Sequence, residues 1–178
     1  MLKGKDVVLR GIERSDLPRL LDIRSDAELE RLVFGAPFPH SLAELEAAFD
    51  ADAAKPAAER DSIEMGIEVG GTLIGRIALF HFERIGQTCR LGIGIERPMW
   101  NKGYGRDAVA TMLRYAFEDL NMHRVSLDTL ASNERAIRSY RACGFVEEGR
   151  LRQHYWFEGG YVDAVEMGIL RDEWQTSR

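Results

Sequence analysis

The sequence predicts an α+β fold in which helices flank a mixed, mostly antiparallel central sheet. Apolar and polar residues alternate along 62–69 and 72–82, on either side of two adjacent glycines, a pattern typical of a tight β-hairpin. Segment 106–120 instead has its apolar residues at helical spacing. Two more strand-like segments, 145–157 and 161–170, surround a second glycine pair. Strands that follow one another in hairpins indicate an antiparallel sheet rather than a repeating βα unit.

The N-terminal part of the chain predicts one strand and three short helices. Alternation over 7–12 favours a strand, and Ser15 is a suitable N-cap for a helix with leucines on one face. A second helix is expected over 26–32. Ser41 and Glu44 have the spacing of a capping box, which predicts a third helix behind them.

The centre of the chain predicts the remaining elements. Segment 88–96 is the third strand of the antiparallel run and leads into a glycine-rich turn. The helix over 106–120 is followed by a strand at 125–130 and a helix that starts at Asn133. Gly144 lies where a helix of this length needs a left-handed residue to end.

Length and charge limit the function classes. A chain of 178 residues is expected to form one domain, 1–178, with a substantial core. The formal net charge of −5 disfavours nonspecific nucleic-acid binding and suits cationic substrates such as amines.

Cysteine and histidine usage predicts no metal site. Cys89 and Cys143 are far apart, and the four histidines show no zinc-ligand spacing. No apolar run resembles a signal peptide or a membrane span, so we expect a cytoplasmic protein without membrane contact.

The most informative segment is 91–106, where an apolar strand enters a glycine-rich turn and a helix begins. Gly103 and Gly105 are expected to take backbone conformations that other residues avoid, so that successive N–H groups point into one concavity. The positive end of the helix dipole adds to this attraction. The segment therefore predicts a site for a phosphate or a diphosphate.

Two common phosphate loops do not fit. A Walker loop needs Ser or Thr after its Gly-Lys pair, whereas here Lys102 precedes the glycines and no hydroxyl follows. A dinucleotide-binding loop lies early in a βαβ unit, whereas this loop lies past the middle of the chain.

The loop Trp-Asn-Lys-Gly-Tyr-Gly at 100–105 resembles the acetyl-CoA loop of the GNAT acyltransferase superfamily, Gln/Arg-x-x-Gly-x-Gly/Ala. Trp100 replaces the Gln or Arg of that pattern, as in the RimJ/RimL-like branch. Segment 133–145 resembles the second family signature, Asn-x-x-Ala-x-x-x-Tyr-x-x-x-Gly-Phe. Weaker likeness at 7–12 and 159–163 extends the resemblance over nearly the whole chain.

This resemblance implies the GNAT fold and direct transfer of an acetyl group from acetyl-CoA, the co-substrate, to a primary amine. Backbone N–H groups of the loop would hold the diphosphate, with charge added by Lys102 and Arg106. The strand at 93–97 would splay from its neighbour and pair its free backbone groups with pantetheine. The residues expected to bind the coenzyme are Ile95, Glu96, Arg97, Asn101, Lys102, Gly103, Tyr104, Gly105, Arg106 and Asn133.

The resemblance also assigns the general acid to Tyr140, seven residues after Asn133 and on the same helix. A tyrosine has a reference pKa of about 10, above the roughly 8.5 of a thiol, so the neutral phenol can hydrogen-bond to a departing thiolate. Cys143 has no activating partner in the sequence, which argues against an acyl-cysteine route.

The general base and the acceptor stay open at this stage. Glu96, His81, His123 and Asp128 are the candidate bases. The acceptor is a protein N-terminal amine or a small-molecule amine, and the alternative is a polyamine such as spermidine. The acceptor pocket is expected between the N-terminal helices, the 34–40 loop and the C-terminal hairpin. Acyl chains longer than acetyl, a homodimer, and a non-catalytic acyl-CoA-binding module are further alternatives.

Overall fold

The computed structural model describes residues 1–56 and 60–176. Within these residues eight strands form one sheet in the order β1-β2-β3-β4-β5-β6-β8-β7. The strands are β1 (Leu2–Lys3), β2 (Val8–Arg10), β3 (Ser62–Val69), β4 (Thr72–Glu83), β5 (Thr88–Ile95), β6 (Arg124–Leu130), β7 (Val146–Phe157) and β8 (Gly160–Leu170). The α-helices are α1 (Leu17–Arg24), α2 (Ala27–Phe34), α3 (Leu42–Ala53), α4 (Tyr104–Arg114), α5 (Glu134–Arg141) and α6 (Arg171–Thr176). The predicted α+β architecture with a mixed, mostly antiparallel sheet is confirmed.

Helices cover both faces of the sheet. Neighbouring residues of β4 point to opposite faces, so each face carries apolar side chains that a helix can cover. Ile74 joins a buried cluster that includes Met112 of α4. Leu73, the preceding residue, packs instead against Leu17 and Leu20 of α1. The larger cluster lies under α4 and fixes the start of that helix relative to the strands.

The turns and caps predicted from local sequence are confirmed. Gly70 and Gly71 both have positive φ angles, 57° and 80°, and join β3 to β4 in a two-residue hairpin. Ser41 and Glu44 form the predicted capping box of α3. The helix expected over 26–32 is α2, and Asp26 is its N-cap, a role that was not predicted, accepting hydrogen bonds from the first turn.

The predicted N-cap at Ser15 is wrong. A 3₁₀ turn over Arg14–Asp16 precedes α1, and Asp16 occupies the N-cap of that helix. The Asp16 carboxylate is held by Arg10 at 2.7 Å and accepts the Glu13 N–H at 2.8 Å. The chain therefore starts to turn before Ser15, through a capping box between Glu13 and Asp16 and through the contact of Asp16 with Arg10 of β2.

The sheet opens between β5 and β6, the one pair of parallel neighbours among the described strands. These strands pair only at three positions, from Thr88 to Arg90 on β5, and pairing stops there. On its other side β5 stays paired with β4 as far as Ile95. Residues 91–95 therefore present one edge of backbone N–H and C=O groups to a gap in the sheet.

Candidate active site

A cavity of about 470 Å³ lies in the gap between β5 and β6. The open stretch of β5 forms one wall, and β6 and α5 form the opposite wall. The glycine-rich loop and the start of α4 close one end of the cavity. Apolar residues of α2 also line it. Backbone donors, a helix N-terminus and several ionisable side chains thus face one space.

The glycine-rich loop positions the first turn of α4 at this cavity. Gly103 is the N-cap of the helix and has a φ of 89°, a left-handed conformation that confirms the prediction for this residue. Asn101 also has a positive φ, 61°. The first N–H groups of a helix have no partner within the helix, so the cavity receives unpaired donors and the positive end of a dipole.

The prediction of an unusual backbone conformation at Gly105 is wrong. Gly105 lies inside α4 and does not appear among the residues with positive φ. It lines the cavity, and a Cβ atom there would lie 3.6 Å from Ile95 Cδ1, an ordinary contact. The missing side chain therefore leaves space next to the first helical turn rather than permitting a bend.

Trp100 braces the loop against the end of β5. Its Nε1 donates to the carbonyl oxygen of Ile95 at 2.6 Å. The guanidinium of Arg135 lies over the indole ring, 3.7 Å from its centroid. The residue that departs from the family pattern thus fastens the loop to the strand and contacts the first turn of α5.

The structure brings most of the predicted site residues together at the cavity. Those that line it are Ile95, Asn101, Gly103, Gly105, Arg106, Asn133 and Tyr140. Glu96, Arg97, Lys102 and Tyr104 lie outside the lining, and their part in coenzyme binding stays a prediction.

The open backbone begins and ends two residues earlier in the chain than the predicted 93–97. The Glu96 N–H already donates to the Ile74 carbonyl at 2.9 Å, and the Glu96 carboxylate accepts from Arg19 at 2.6 Å. Arg97 belongs to a 3₁₀ turn and pairs with Asp26. The chain turns away from the gap after Ile95, so the free edge comprises residues 91–95, apart from the Ile95 carbonyl that accepts from Trp100.

Asn133 has two structural contacts and also faces the cavity. Its Oδ1 caps α5 by accepting the Ala136 N–H at 3.2 Å, and its Nδ2 donates to Thr129 Oγ1 at 3.4 Å. These bonds fix the start of α5 at the end of β6, which directs Tyr140 toward the gap.

The Tyr140 ring is buried, with 9% of its surface exposed, and packs edge-on against Phe145. Within the described residues its hydroxyl makes no hydrogen bond, although the side chain lines the cavity. Burial raises the pKa of Tyr140 to about 12, and the charge of Asp128 contributes in the same direction. The phenol is therefore neutral at physiological pH and has a donor available in the cavity.

Asp128 is the one candidate base that lines the cavity, whereas Glu96, His81 and His123 do not. Its carboxylate accepts hydrogen bonds from Arg90 of β5 and from the Tyr155 hydroxyl of β7. The sequence left Asp128 unranked because nothing local distinguishes it from the other three.

Arg90 and Tyr155, which hold Asp128, were missed altogether. Their partner lies 38 and 27 residues away in the chain, a separation that carries no local pattern. Strand alternation does place Arg90, Gly92 and Gly94 on one face of β5. That face was the signal that could have indicated Arg90.

The residue pattern that defines the acetyltransferase (GNAT) domain matches residues 6–146. The chain belongs to the GNAT acetyltransferase family. It is an acyl-CoA-dependent N-acetyltransferase with acetyl-CoA as the family's co-substrate, as the resemblance of its two motifs implied. Among the described residues, no helix combines the length and apolar character that a bilayer span requires.

Relatives of known or suggested activity match the chain over almost its full length. The spermidine N(1)-acetyltransferase of Vibrio cholerae is 29% identical over 171 residues, which is 96% of each chain. The putative ribosomal N-acetyltransferase YdaF of Bacillus subtilis is 28% identical and covers 98% of this chain and 97% of its own. A crystal structure of the Vibrio cholerae spermidine N-acetyltransferase with CoA and spermine superposes with a TM-score of 0.87 at 27% identity, over 97% and 99% of the two chains.

Proposed function

We propose that this chain transfers the acetyl group of acetyl-CoA directly to a primary amine in the cavity between β5 and β6. The observation that carries the proposal is the unpaired edge of β5 at 91–95, which ends at the N-terminus of α4 and faces the unbonded hydroxyl of Tyr140. A coenzyme with an amide-rich arm and an anionic end matches this order of groups.

The coenzyme would bind through backbone at two places. The diphosphate would accept from the first N–H groups of α4, around Gly103 and Gly105. The pantetheine amides would pair with 91–95 as an added strand, and the Asn133 side chain lies at the same cavity. The thioester would then lie deep in the gap, next to Tyr140.

The reaction needs a neutral amine, which attacks the thioester carbon, and a stabilised thiolate, which leaves as the C–S bond breaks. An alkylamine with a pKa near 10 arrives protonated, and the Asp128 carboxylate is placed to accept its surplus proton. The Tyr140 hydroxyl would donate to the sulfur as negative charge develops there. The Tyr140 proton would pass to the sulfur, which leaves as CoA, and the second proton lost by the amine nitrogen would restore the phenol, so that the nitrogen is left as a neutral acetamide.

The acceptor that fits best presents a single amine, as a peptide N-terminus or a small monoamine does. Asp128 is the only carboxylate among the described residues that line the cavity. The acids of neighbouring α2 are already bound, since Arg97 pairs with Glu28 at 2.6 Å and Arg24 pairs with buried Glu30 at 3.3 Å. Among the described residues, no carboxylate besides Asp128 lines the cavity to receive a second or third ammonium group.

A polyamine acceptor is the second candidate. The relatives named as spermidine N-acetyltransferases support it, because they match this chain over nearly all of its length. The net charge of −5 also favours cationic acceptors in general.

Thiol release from acetyl-CoA, measured with a panel of amines, tests the proposal. We expect release with primary amines, and a higher kcat/KM for short peptides or monoamines than for spermidine. A preference for spermidine would favour the second candidate. No release with any amine, by protein that binds CoA, would contradict the proposed reaction.

Gly103→Val is expected to weaken CoA binding by at least about tenfold, because it removes a backbone conformation that aims the loop N–H groups at the ligand. Gly159→Val is the matched control. Gly159 has a similar φ of 87°, and nothing lies near the position of an added Cβ at either residue. Calorimetric titration with CoA distinguishes the two variants, and equal affinity in both would count against the loop assignment.

The single domain and the homodimer expected from the sequence are part of this proposal. One continuous sheet supports the single domain. The long edge strand β7 and the start of β8 expose Val146, Leu151, Trp156 and Tyr161, an apolar edge of the kind that a second copy covers. A solution mass of twice 20.2 kDa would support the dimer, and a mass of 20.2 kDa would exclude it.

A reducing, cytoplasmic setting is also proposed. Cys89 and Cys143 are both free thiols, and burial raises the pKa of Cys143 to about 11, so neither has the character of a disulfide or of a reactive thiolate. Fractionation of cells that produce the protein would test this location.

A further inference from the structure

The two faces of β5 at the cavity lie under different helices. Ile95 faces α4, because its Cδ1 lies 3.6 Å from the position of a Cβ on Gly105 in the first turn of that helix. Neighbouring residues of a strand point to opposite faces. Gly94 accordingly lies under α2, where a Cβ would be 3.4 Å from Val33 Cγ2. The proposed phosphate end of the coenzyme thus lies on the α4 face, and α2 covers the opposite face.

The proposed base lies on the α2 face. Arg90 precedes Gly94 by four residues and therefore points to the same side of β5. Its guanidinium donates a hydrogen bond to Asp128. On β6 the next residue, Thr129, points the other way and accepts a hydrogen bond from Asn133 at the start of α5. An amine that reaches Asp128 therefore enters from the side that α2 covers.

An apolar stripe of α2, formed by Leu29, Leu32 and Val33, faces this side of the cavity. The three residues have the i, i+3, i+4 spacing of one helix face, and they line the cavity together with Asp128. Leu32 and Val33 remain partly exposed. An apolar group of a ligand that covers them removes apolar surface from water, which favours its binding.

Ionic contacts on the opposite face of α2 hold the stripe in place. Glu30 is only 2% exposed, and its carboxylate lies 3.3 Å from Arg24 Nε of α1 and 3.1 Å from His40 Nε2. Rotation of the helix would leave this buried carboxylate without partners, which is costly. The stripe is therefore positioned before a ligand arrives, and a preorganised wall costs less binding energy than one that must be ordered.

Two glycines keep the floor of this side free of side chains. Gly92 and Gly94 both line the cavity. A Cβ on Gly92 would come within 3.1 Å of Phe80 Cε1, so the half-buried Phe80 ring extends the apolar surface beside Gly92. The α2 face thus combines one carboxylate, Asp128, with apolar walls.

We propose that the apolar stripe of α2 selects acceptors whose amine carries an aliphatic substituent, as an N-terminal leucine or a branched alkylamine does. This inference rests on the proposed function and narrows its acceptor. The ammonium group meets Asp128, while the substituent covers Leu32 and Val33. A polar group in the same place would lose its hydrogen bonds to water without gaining new ones.

Two nearly isosteric pairs of acceptors test the proposal. The peptides Leu-Gly-Gly and Asn-Gly-Gly form one pair, and 3-methylbutylamine and 3-aminopropanamide form the other. We expect kcat/KM to be about tenfold or more higher for the apolar member, as is usual when a hydrophobic pocket discriminates between similar groups. A preference within the peptide pair alone would assign the site to peptide N-termini, and one within the amine pair alone would assign it to small amines.

Val33→Thr tests the assignment to α2, because it keeps the branched shape and replaces one methyl group by a hydroxyl. We expect the preference to fall by about threefold or more, the effect of one buried methyl group, while CoA affinity stays unchanged. Val146→Thr is the matched control, since Val146 is exposed on β7 and lies outside the cavity lining. Thermal melting checks that both variants are folded.

Three results would overturn the inference. Equal kcat/KM within both pairs would exclude an apolar selection. A preference that Val33→Thr leaves intact would exclude α2 as its source, and a lower CoA affinity in Val33→Thr would assign the stripe to the coenzyme instead. A failure of the proposed function looks different, because the unmodified chain would then release no thiol with any amine.

Discussion

Turnover of acetyl-CoA by Tyr140→Phe is expected to fall by about 100-fold or more, while CoA affinity stays within a few-fold of the unmodified protein. The substitution removes only the hydroxyl and keeps the ring, which packs edge-on against Phe145 in the core. The hydroxyl has no partner among the described residues, so its loss leaves no buried group unsatisfied. What disappears is the donor to the departing sulfur, and positioned proton donors contribute about 10²–10⁴-fold.

The pH dependence follows from the pKa of Tyr140, which burial raises from 10 to about 12. The phenol remains protonated as pH rises through the usual assay range, so its donor is not lost below about pH 11. We therefore expect rate profiles of the unmodified enzyme and of Tyr140→Phe to keep the same shape up to pH 9 and to differ in height.

Tyr115→Phe provides the control for this experiment. Tyr115 lies in the π-helical turn after α4, is partly buried and does not line the cavity. It should retain full turnover. Equal turnover in Tyr140→Phe and the unmodified protein would remove Tyr140 from the reaction.

Features that depend on neighbouring residues were predictable from the sequence. The Gly70-Gly71 turn and the Ser41 capping box are each decided within four residues, because backbone conformation and a nearby side chain determine them. The same holds for Gly103, whose positive φ ends the loop. A strand of two residues, β1, and a helix of six residues, α6, were missed because both are too short to show a period.

Features that depend on distant contacts were not predictable. The sheet opens after Arg90, where a side chain from β5 reaches Asp128 on β6, and no pattern along either strand reveals this. The free edge was therefore predicted at 93–97, two residues later than the observed 91–95. Motif resemblance located Tyr140 and the loop, but the cavity between them became visible only when the strands were assembled.

The Asp128–Tyr155 hydrogen bond shows how distant elements define the site. Tyr155 lies on β7, two strands away from β6 in the sheet. The register of β7 against β8 shifts between Leu151 and Tyr155, and Gln153 within this bulge has a φ of 52°. Bulges re-aim side chains, and here the hydroxyl of an edge-strand residue reaches the carboxylate that we propose as the proton acceptor.

Asp128→Asn is expected to lower kcat/KM for the amine by about 100-fold, with CoA affinity unchanged, because an amide neither accepts the proton of an ammonium group nor attracts its charge. The side chain keeps its size, and its amide can still accept from Arg90 and donate to the Tyr155 oxygen, so the fold should be retained. Steady-state rates at varied amine concentration, with thermal melting as a check on folding, measure the effect.

Glu166→Gln is the matched control: it removes the same charge from the facing position of β8, 3.8 Å from Arg90, and lies outside the cavity. An equal loss of kcat/KM in both variants would show that the effect comes from the changed charge around Arg90 and not from Asp128 as a base. Full activity in Asp128→Asn would show that water, and not Asp128, accepts the proton of the amine. A loss confined to Asp128→Asn, greatest at low pH where the amine arrives most fully protonated, would identify this carboxylate as the group that prepares the nucleophile.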